Sequence, residues 1–461
     1  MTPRGVLAFC REKEVKAIDL RFANLFGTWQ HVTVPVSRLS EASFEQGFAI
    51  EASNNGGALC DRLIVPQASS AFLDPFASIP TLVLIGSIQD PITREDDLYD
   101  SRIIAERSIN FLQGTGIADQ ARISATCEFY LFNDVQISMT PWSSAVRIHP
   151  NAVSPKSEFP AAISQPGLNE NDSKHRGPFP IDSSFDFRNS VMELLIDADI
   201  SVAQHFQMDH ATGQAGLVLD NSNLVAAADS LMFTKYMIRS AAKQNGKLAT
   251  FLPKPIENLR GSGMPLDFSL WRGDEPLFGG QAAGGLSELA MLSIGGILHH
   301  ASALAAICNP TTNSFRRLMH SIEPAFYLGY SHQSRRAACR IPSYSSDPRT
   351  KCIEFCTPDA SANPYLAFAA ILMAAIDGIQ NKIDPGSPMT NEAGRVPATH
   401  TLPRSLWEAL DCLEQDSDFL LRGGVFSQDM LVHWLDYKRN IERAEVESYP
   451  TPAEFQRYFD C

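Results

Sequence analysis

Cys352, Glu354 and Cys356 occupy alternate positions in the stretch "KCIEFCTP" (351–358). In an extended strand they share one face, and Ile353 and Phe355 take the other. A carboxylate between two thiols suits a metal site, a redox site, or a charged row that has lost its partners. Residues four apart in a strand are separated by ~13 Å, so the two thiols cannot grip one ion together. Either thiol with Glu354, at ~6.6 Å, supplies two ligands. A tight zinc site uses three or four. Two small thiols buried in a sheet are the plainer reading.

A second stretch carries an isolated carboxylate. "ARISATCEFYLFND" (121–134) alternates, so that Ile123, Ala125, Cys127, Phe129 and Leu131 face one side, and Thr126 and Glu128 the other. The elements that must position these strands follow from local patterns. "VKAIDLRFANLFGTWQHVTVP" (15–35) alternates, breaks at Asn24 to Gly27 and resumes, which predicts a β-hairpin. With "TLVLIGSI" (81–88) it outlines a small mixed-sheet domain ending near residue 100. "SRIIAERSINFLQGTG" predicts a helix closed by glycines. Residues 151–180, rich in Pro, Ser and Asn, predict a long loop. "SELAMLSIGGILHHASALAAIC" (287–308) and "SANPYLAFAAILMAAIDGIQNKI" (361–383) predict two strongly apolar helices packed against a sheet. "SLWEALDCLEQDSDFLL" begins a helical C-terminus.

Bulk properties narrow the class. A chain of 461 residues suits two or three domains, or one large domain with an appendage. The formal net charge of -14 argues against nonspecific attraction to nucleic acid or anionic lipid. No apolar run approaches the roughly 20 residues that span a bilayer. The opening "MTPRGVLAFC" lacks the marks of a signal peptide. Nine scattered cysteines, an odd number, do not form a secreted disulfide framework. A cytoplasmic protein with no nucleic-acid or membrane partner is expected. Nucleotide-cradling glycine loops, a nucleophile elbow and zinc-finger spacings are absent from the sequence.

"GTGIAD" (114–119), "FLPKP" (251–255), "GSGM" (261–264), "GGLSE" (284–288), "NPTTNSFRRL" (309–318) and "ANPYLAFAAILMAAIDGIQNKIDPG" (362–386) fall in one order along the chain. In these stretches the sequence resembles the class I (bacterial-type) glutamine synthetase family, over nearly its whole length. The resemblance implies an α+β fold. A β-grasp-like domain is expected over residues 1–103. A large C-terminal domain, with a curved antiparallel sheet and flanking helices, is expected over 104–461. It also implies a homo-oligomer, a double-ring dodecamer with sites between neighbouring subunits. The family joins glutamate and an amine at the expense of ATP, through γ-glutamyl phosphate, with two or three divalent cations. Mg²⁺ or Mn²⁺ beside a triphosphate needs several hard oxygen ligands, and the phosphates need arginines.

Matched to the family residue by residue, the carboxylate row is thinned. Thr126-Cys127-Glu128 stands where the family has Glu-x-Glu. In "HFQMDHATGQAG", anchored by Gly213 and Gln214, Met208 and Gly216 take two glutamate positions. Pro265 takes the place of a histidine after "GSGM", and Glu354 keeps its glutamate while Cys352 and Cys356 replace flanking arginines. Of six metal ligands the resemblance implies, Glu128 and Glu354 remain. Asp209, His210, His205 and Asp267 are the nearby substitutes, and a one-residue shift would put Asp209 in the place of Met208. Thr126, Met208, Gly216 and Pro265 are expected in one pocket with Glu128 and Glu354, holding at most one tightly bound ion.

Other positions match the family. Arg317 matches the arginine on the substrate carboxylate, and Gly261 belongs to the glycine stretch beside the substrates. Glu323 matches the loop glutamate that closes the site and takes a proton from the amine. Arg335 and Arg340 match arginines near the nucleotide phosphates and the transferring phosphoryl. Glu51 stands where an aspartate helps to bind ammonium from the neighbouring subunit. The stretch 388–405 contains no tyrosine, so adenylylation there is not available. Three readings stay open at this point. The chain is a diverged member whose arginine-lined pocket acts on a small carboxylate or amine metabolite, a noncatalytic scaffold or ring subunit, or a γ-glutamyl-amine ligase with substitute ligands.

Overall fold

A computed structural model describes residues 1–53, 59–140, 143–150, 182, 184–208, 213–319, 327–332, 334–343, 347–389, 401–449, 451 and 457. The expected loop 151–180 lies outside them. The chain opens with the helix Pro3–Glu12, whose N-cap Thr2 accepts from the Gly5 amide while a proline fills the first turn. A mixed sheet follows, in the order Trp29–Pro35, Ala17–Ala23, Thr81–Gln89, Leu59–Pro66, Phe48–Ser53. Its first two strands form the expected hairpin. The Asn24 side chain sets the turn by accepting from the amides of Phe26 and Thr28 at 3.1 and 2.9 Å.

One face of this sheet closes on the first helix through Val6, Cys10, Ile18, Leu20, Ile64, Leu82 and Leu84. The other face lies against the helix Leu224–Gln244 of the same chain. Phe72 and Trp29 approach Phe233 with ring centroids 4.4 and 5.7 Å apart. Arg21 stacks on Tyr236 at 4.2 Å, and Asp74 accepts from both Arg21 and Tyr236 at 2.6 Å. This dock is apolar at its centre and ion-paired at its edge.

Among the described residues the second sheet has eleven strands. Its main path runs Tyr327–Ser331, Ala337–Arg340, Ile353–Phe355, Leu266–Arg272, Gln120–Thr140, Gln214–Leu219, Val202–Gln207. The central strand buries Ala121, Ile123, Ala125, Cys127, Phe129 and Leu131 on the core side, as its alternation predicts. It continues past residue 134 to Thr140, where it pairs with Ser143–Pro150 as a ribbon. Cys127 sits wholly inside the core, and burial pushes its thiol up to about 12.

Two expectations about helices need correction. Residues 287–308 form not one helix but two, Glu288–His299 and Ala301–Cys308, inclined at 73°. The bend places the buried His300 between two carboxylates, with Nδ1 2.8 Å from Asp416 and Nε2 3.1 Å from Asp377, and its ring 3.9 Å from Phe419. The helix Pro364–Gln380 is buried from Pro364 to Gly378 and packs among other helices rather than directly on a sheet. Asn363 caps it, accepting from the Tyr365 amide. Among the described residues no single helix is long and apolar enough to cross a membrane.

The His300 cluster predicts a pH dependence. Burial acts to lower the imidazole pKa, but the hydrogen bonds and charges of Asp416 and Asp377 outweigh it, and the net shift is upward. The unfolded value lies near ~6.5. The contribution is therefore complete below that value and is lost as pH rises through the raised folded value. Urea midpoints should fall between pH 6 and pH 8.5 in the wild type and fall less in His300→Gln; equal slopes would refute this.

Candidate functional site

The face of the large sheet opposite the core carries the residues singled out above, and register decides which of them meet. Glu128 lies directly across from Gly216, and Gly216 across from Phe206. On the other side of the central strand, Ser124 lies across from Asp267, Asp267 across from Glu354, and Glu354 across from Arg340. Between these two lines the Thr126 amide donates to the Pro265 carbonyl at 2.9 Å. The Met208 amide donates to the Gln214 carbonyl at 3.1 Å, and Met208 is buried. By register Thr126, Glu128, Gly216 and Glu354 fall on one face of the sheet, and Pro265 and Met208 join it through these backbone hydrogen bonds.

Each charged group in the row has a local partner. Glu128 Oε2 accepts from the Gly263 amide at 2.6 Å. Arg340 Nε donates to Glu354 Oε2 as a buried ion pair. Arg317, on the helix Thr312–Met319, donates to the carbonyls of Thr357 and Pro358. Burial pulls the Arg317 guanidinium below its ordinary value, against the charges of Asp359 and Glu128. The stretch Gly261–Met264 makes room for that side chain. A Cβ at Gly261 would lie 2.5 Å from Arg317 Cγ, and one at Gly263 3.0 Å from Arg317 Nη1 and 3.5 Å from Glu128 Oε2. At 261 glycine is required by close approach, because such a Cβ would also lie 2.6 Å from the Pro253 carbonyl oxygen.

The thiols of the opening stretch are packing groups. Burial first, then Asp267 and Glu354, push the Cys352 thiol far above its ordinary value, and it hydrogen-bonds Asp267. Cys356 is fully enclosed, and burial raises its thiol, with Glu354 and Cys339 adding and Arg340 and Arg335 opposing. A protonated thiol in such surroundings is neither a nucleophile nor a metal ligand.

The remaining candidates divide. His205 is a correction: it lies across from Leu217, on the core face, not in the pocket. There Nδ1 accepts from Arg188 Nε at 3.1 Å and Nε2 meets Asn189 Oδ1 at 2.9 Å. Burial and the Arg188 charge lower its pKa. Asp267 joins the row, as stated. Arg335 is exposed, near enough to Cys356 for its charge to act on that thiol. Glu51 is exposed on the edge strand of the first sheet, across from Asp61. Glu323, Asp209 and His210 lie outside the described residues.

Sequence reasoning missed Phe206. Its ring is seated on Gly216, where a Cβ would come within 2.5 Å of Cζ and 2.7 Å of Cε2. The ring therefore fills the place of a side chain beside Glu128. Gly216 in an otherwise side-chain-bearing strand is the signal, but only the pairing of strands names the residue that uses the space. The donor set among the described residues does not fit a pair of hard cations. Among the described residues no three His, Cys, Asp or Glu side chains gather as a metal group. Glu354 faces a guanidinium and Gly216 faces a ring, where each hard ion would require about six oxygens.

A small mixed sheet docked on the helix Leu224–Gln244, beside a large sheet with carboxylates and arginines along one face, is the architecture that the resemblance to carboxylate–amine ligases implies. Residues 14–91 match the model of the glutamine synthetase β-grasp domain, and residues 98–458 that of the glutamine synthetase catalytic domain. The chain belongs to the glutamine synthetase family. It is 40% identical to glutamine synthetase of Frankia alni, over 99% of this chain and 98% of that one. It is 39% identical to that of Aquifex aeolicus, over 100% and 99%. In fold it is similar to a cryo-EM structure of Plasmodium falciparum glutamine synthetase, with a TM-score of 0.87 and 24% identity over 99% of each chain. The structure titled "Apo GmaS without ligand" gives a TM-score of 0.78 and 25% identity over 98% of this chain and 99% of that one.

Proposed function

We propose that this family member has lost ordinary ATP-dependent glutamine synthesis and that its arginine-lined pocket handles a small carboxylate or amine metabolite without a pair of divalent cations. The observation that carries the reading is Phe206 seated on Gly216, which puts a ring beside Glu128 where a second carboxylate would stand. The pairing of Glu354 with Arg340 points the same way, because a guanidinium already balances that carboxylate. Arg317, Arg340 and Arg335 are the groups assigned to anions. Glu323 and Glu51 keep the proton-accepting and neighbour-facing roles that the resemblance implies, in a homo-oligomeric double ring. The division into units near residue 103 belongs to the same reading.

The plain glutamine synthetase names of the relatives favour a second reading, a working ligase with substitute ligands. Titration with ATP separates the two. Calorimetry with Mg²⁺ or Mn²⁺ should give no micromolar, metal-dependent ATP binding, and elemental analysis at most one tight ion per chain. Two tight ions with metal-dependent ATP binding would establish the ligase reading instead.

A further inference from the structure

The helix Ser101–Thr115 buries one stripe, Ile104, Ala105, Ser108 and Leu112, and carries a second beside it, Arg107, Asn110, Phe111 and Gly114. Residues three, four and seven apart lie along one side of a helix, so the second stripe is continuous over about 10 Å. The end of the helix Pro364–Gln380 and the turn Arg422–Gly424 stand against it. Between them lies a groove of about 740 Å³, open to solvent and of the size of a small-molecule site. Gly423, at φ +64°, brings its backbone onto the Phe111 ring, where a Cβ would come within 2.2 Å of Cδ2. Gly114 leaves its part of the groove bare, since a Cβ there would meet nothing within 4 Å.

The lining is cationic in a chain of net charge -14. It holds two guanidiniums, Arg107 and Arg422, and two amides, Asn110 and Gln380, and among the described residues that line it none is acidic. Arg422 is a positioned donor. Its Nη1 donates to Asp377 Oδ1 at 2.6 Å and its Nη2 to Gln380 Oε1, while Nε makes no hydrogen bond to a described residue. Gln380, accepting with its oxygen, keeps its NH₂ group for another partner. Arg107 is the uncompensated charge. It is half-buried and makes no hydrogen bond or ion pair to a described residue. The neighbouring carboxylate, Glu106, is engaged by Arg102 instead. An unpaired guanidinium beside a second, fixed one suits phosphate and carboxylate oxygens, which accept from such paired N–H groups.

We propose that this groove is a second binding site, which takes a small anion carrying two negative charges between Arg107 and Arg422. Two sources share that chemistry, a phosphomonoester and a dicarboxylate. Asn110 and Gln380 supply neutral donors to either, and bare Gly114 leaves the volume that the rest of the molecule fills. The groove shares no residue with the open face of the large sheet, so the site stands or falls independently of what that face does.

The test is calorimetric titration of the full-length protein, without added metal and at low ionic strength, with methyl phosphate, succinate and acetate. Saturable binding of a dianion below about 10 mM is expected, with none for acetate. Tighter binding of methyl phosphate than of succinate would assign the phosphomonoester, and the reverse the dicarboxylate. Arg107→Gln removes the free charge and should weaken binding ~10-fold, whereas Arg107→Lys, which keeps the charge and loses the fork, should weaken it less. Gly114→Leu puts a side chain into the bare part of the groove and should weaken binding at least as much as Arg107→Gln. Leucine is also a better helix former than glycine, so the helix itself is not put at risk. Melting curves identify any variant that fails to fold, and the two positions are independent, so either one alone decides the matter. Anions held by Arg317 and Arg340 on the sheet face would bind equally in wild type, Arg107→Gln and Gly114→Leu. That result, or no saturable heat up to about 10 mM, would overturn the proposal.

Discussion

Given ATP, glutamate, ammonium and Mg²⁺ or Mn²⁺, the purified protein is expected to release phosphate at less than ~10⁻⁴ of an ordinary enzymatic rate of about 10 s⁻¹. Phosphoryl transfer is governed by positioning and by neutralisation of charge on the transferring oxygens. Preorganised electrostatic stabilisation of this kind is usually the largest catalytic contribution, and loss of one donor costs ~100-fold or more. On the proposed reading, four of the six positions that the resemblance assigns to this task are Thr126, Met208, Gly216 and Pro265 in this chain. Of the two that remain, Glu354 is paired with Arg340 and Glu128 stands beside the Phe206 ring. Arg317 donates to the carbonyls of Thr357 and Pro358. Arginines so engaged can hold an anion but cannot bridge two phosphate groups as a shared cation does. Phosphate release at ordinary rates, dependent on glutamate and ammonium together, would sink the claim.

The parts of this structure that were legible from sequence are those set by short-range pattern. The Asn24 turn, the alternation of the central strand about Cys127 and the glycine that closes the helix Ser101–Thr115 each depend on residues within a few positions of one another. The parts that were not legible depend on strand register or on a distant partner. His205 and Phe206 are adjacent in sequence, yet one faces Arg188 on the core side and the other rests on Gly216 in the pocket. A slip of one residue would exchange them, and nothing local in "HFQ" says which faces in. The break at His300 is of the same kind. The apolar pattern of 287–308 runs through it, but Asp377 and Asp416, remote in sequence, hold the imidazole at the bend. Arg340 and Glu354 both matched the family from sequence alone. Their direct pairing needed the cross-strand partnership.

Restoring the family residues tests that distinction most directly. Thr126→Glu, Met208→Glu, Gly216→Glu and Pro265→His together supply the missing donors, yet in the Phe206 background they are expected to restore neither a second tight ion nor turnover. The Cβ of a residue at 216 would lie 2.5 Å from Phe206 Cζ, so the new glutamate and the ring compete for one volume. Overpacking of this kind costs ~1–3 kcal/mol. The displaced carboxylate would also be forced toward Glu128, its direct cross-strand neighbour, and like charges at that spacing repel. Adding Phe206→Ala removes the ring and leaves the new carboxylate its place. The fivefold variant should bind a second divalent ion and release phosphate at least ~100-fold faster than the fourfold one, the effect of one regained electrostatic donor. Elemental analysis and phosphate release on both variants decide the matter. Should the fourfold variant hold two ions with Phe206 in place, the ring is not what closes the site, and the cause would have to be sought in the pairing of Arg340 with Glu354.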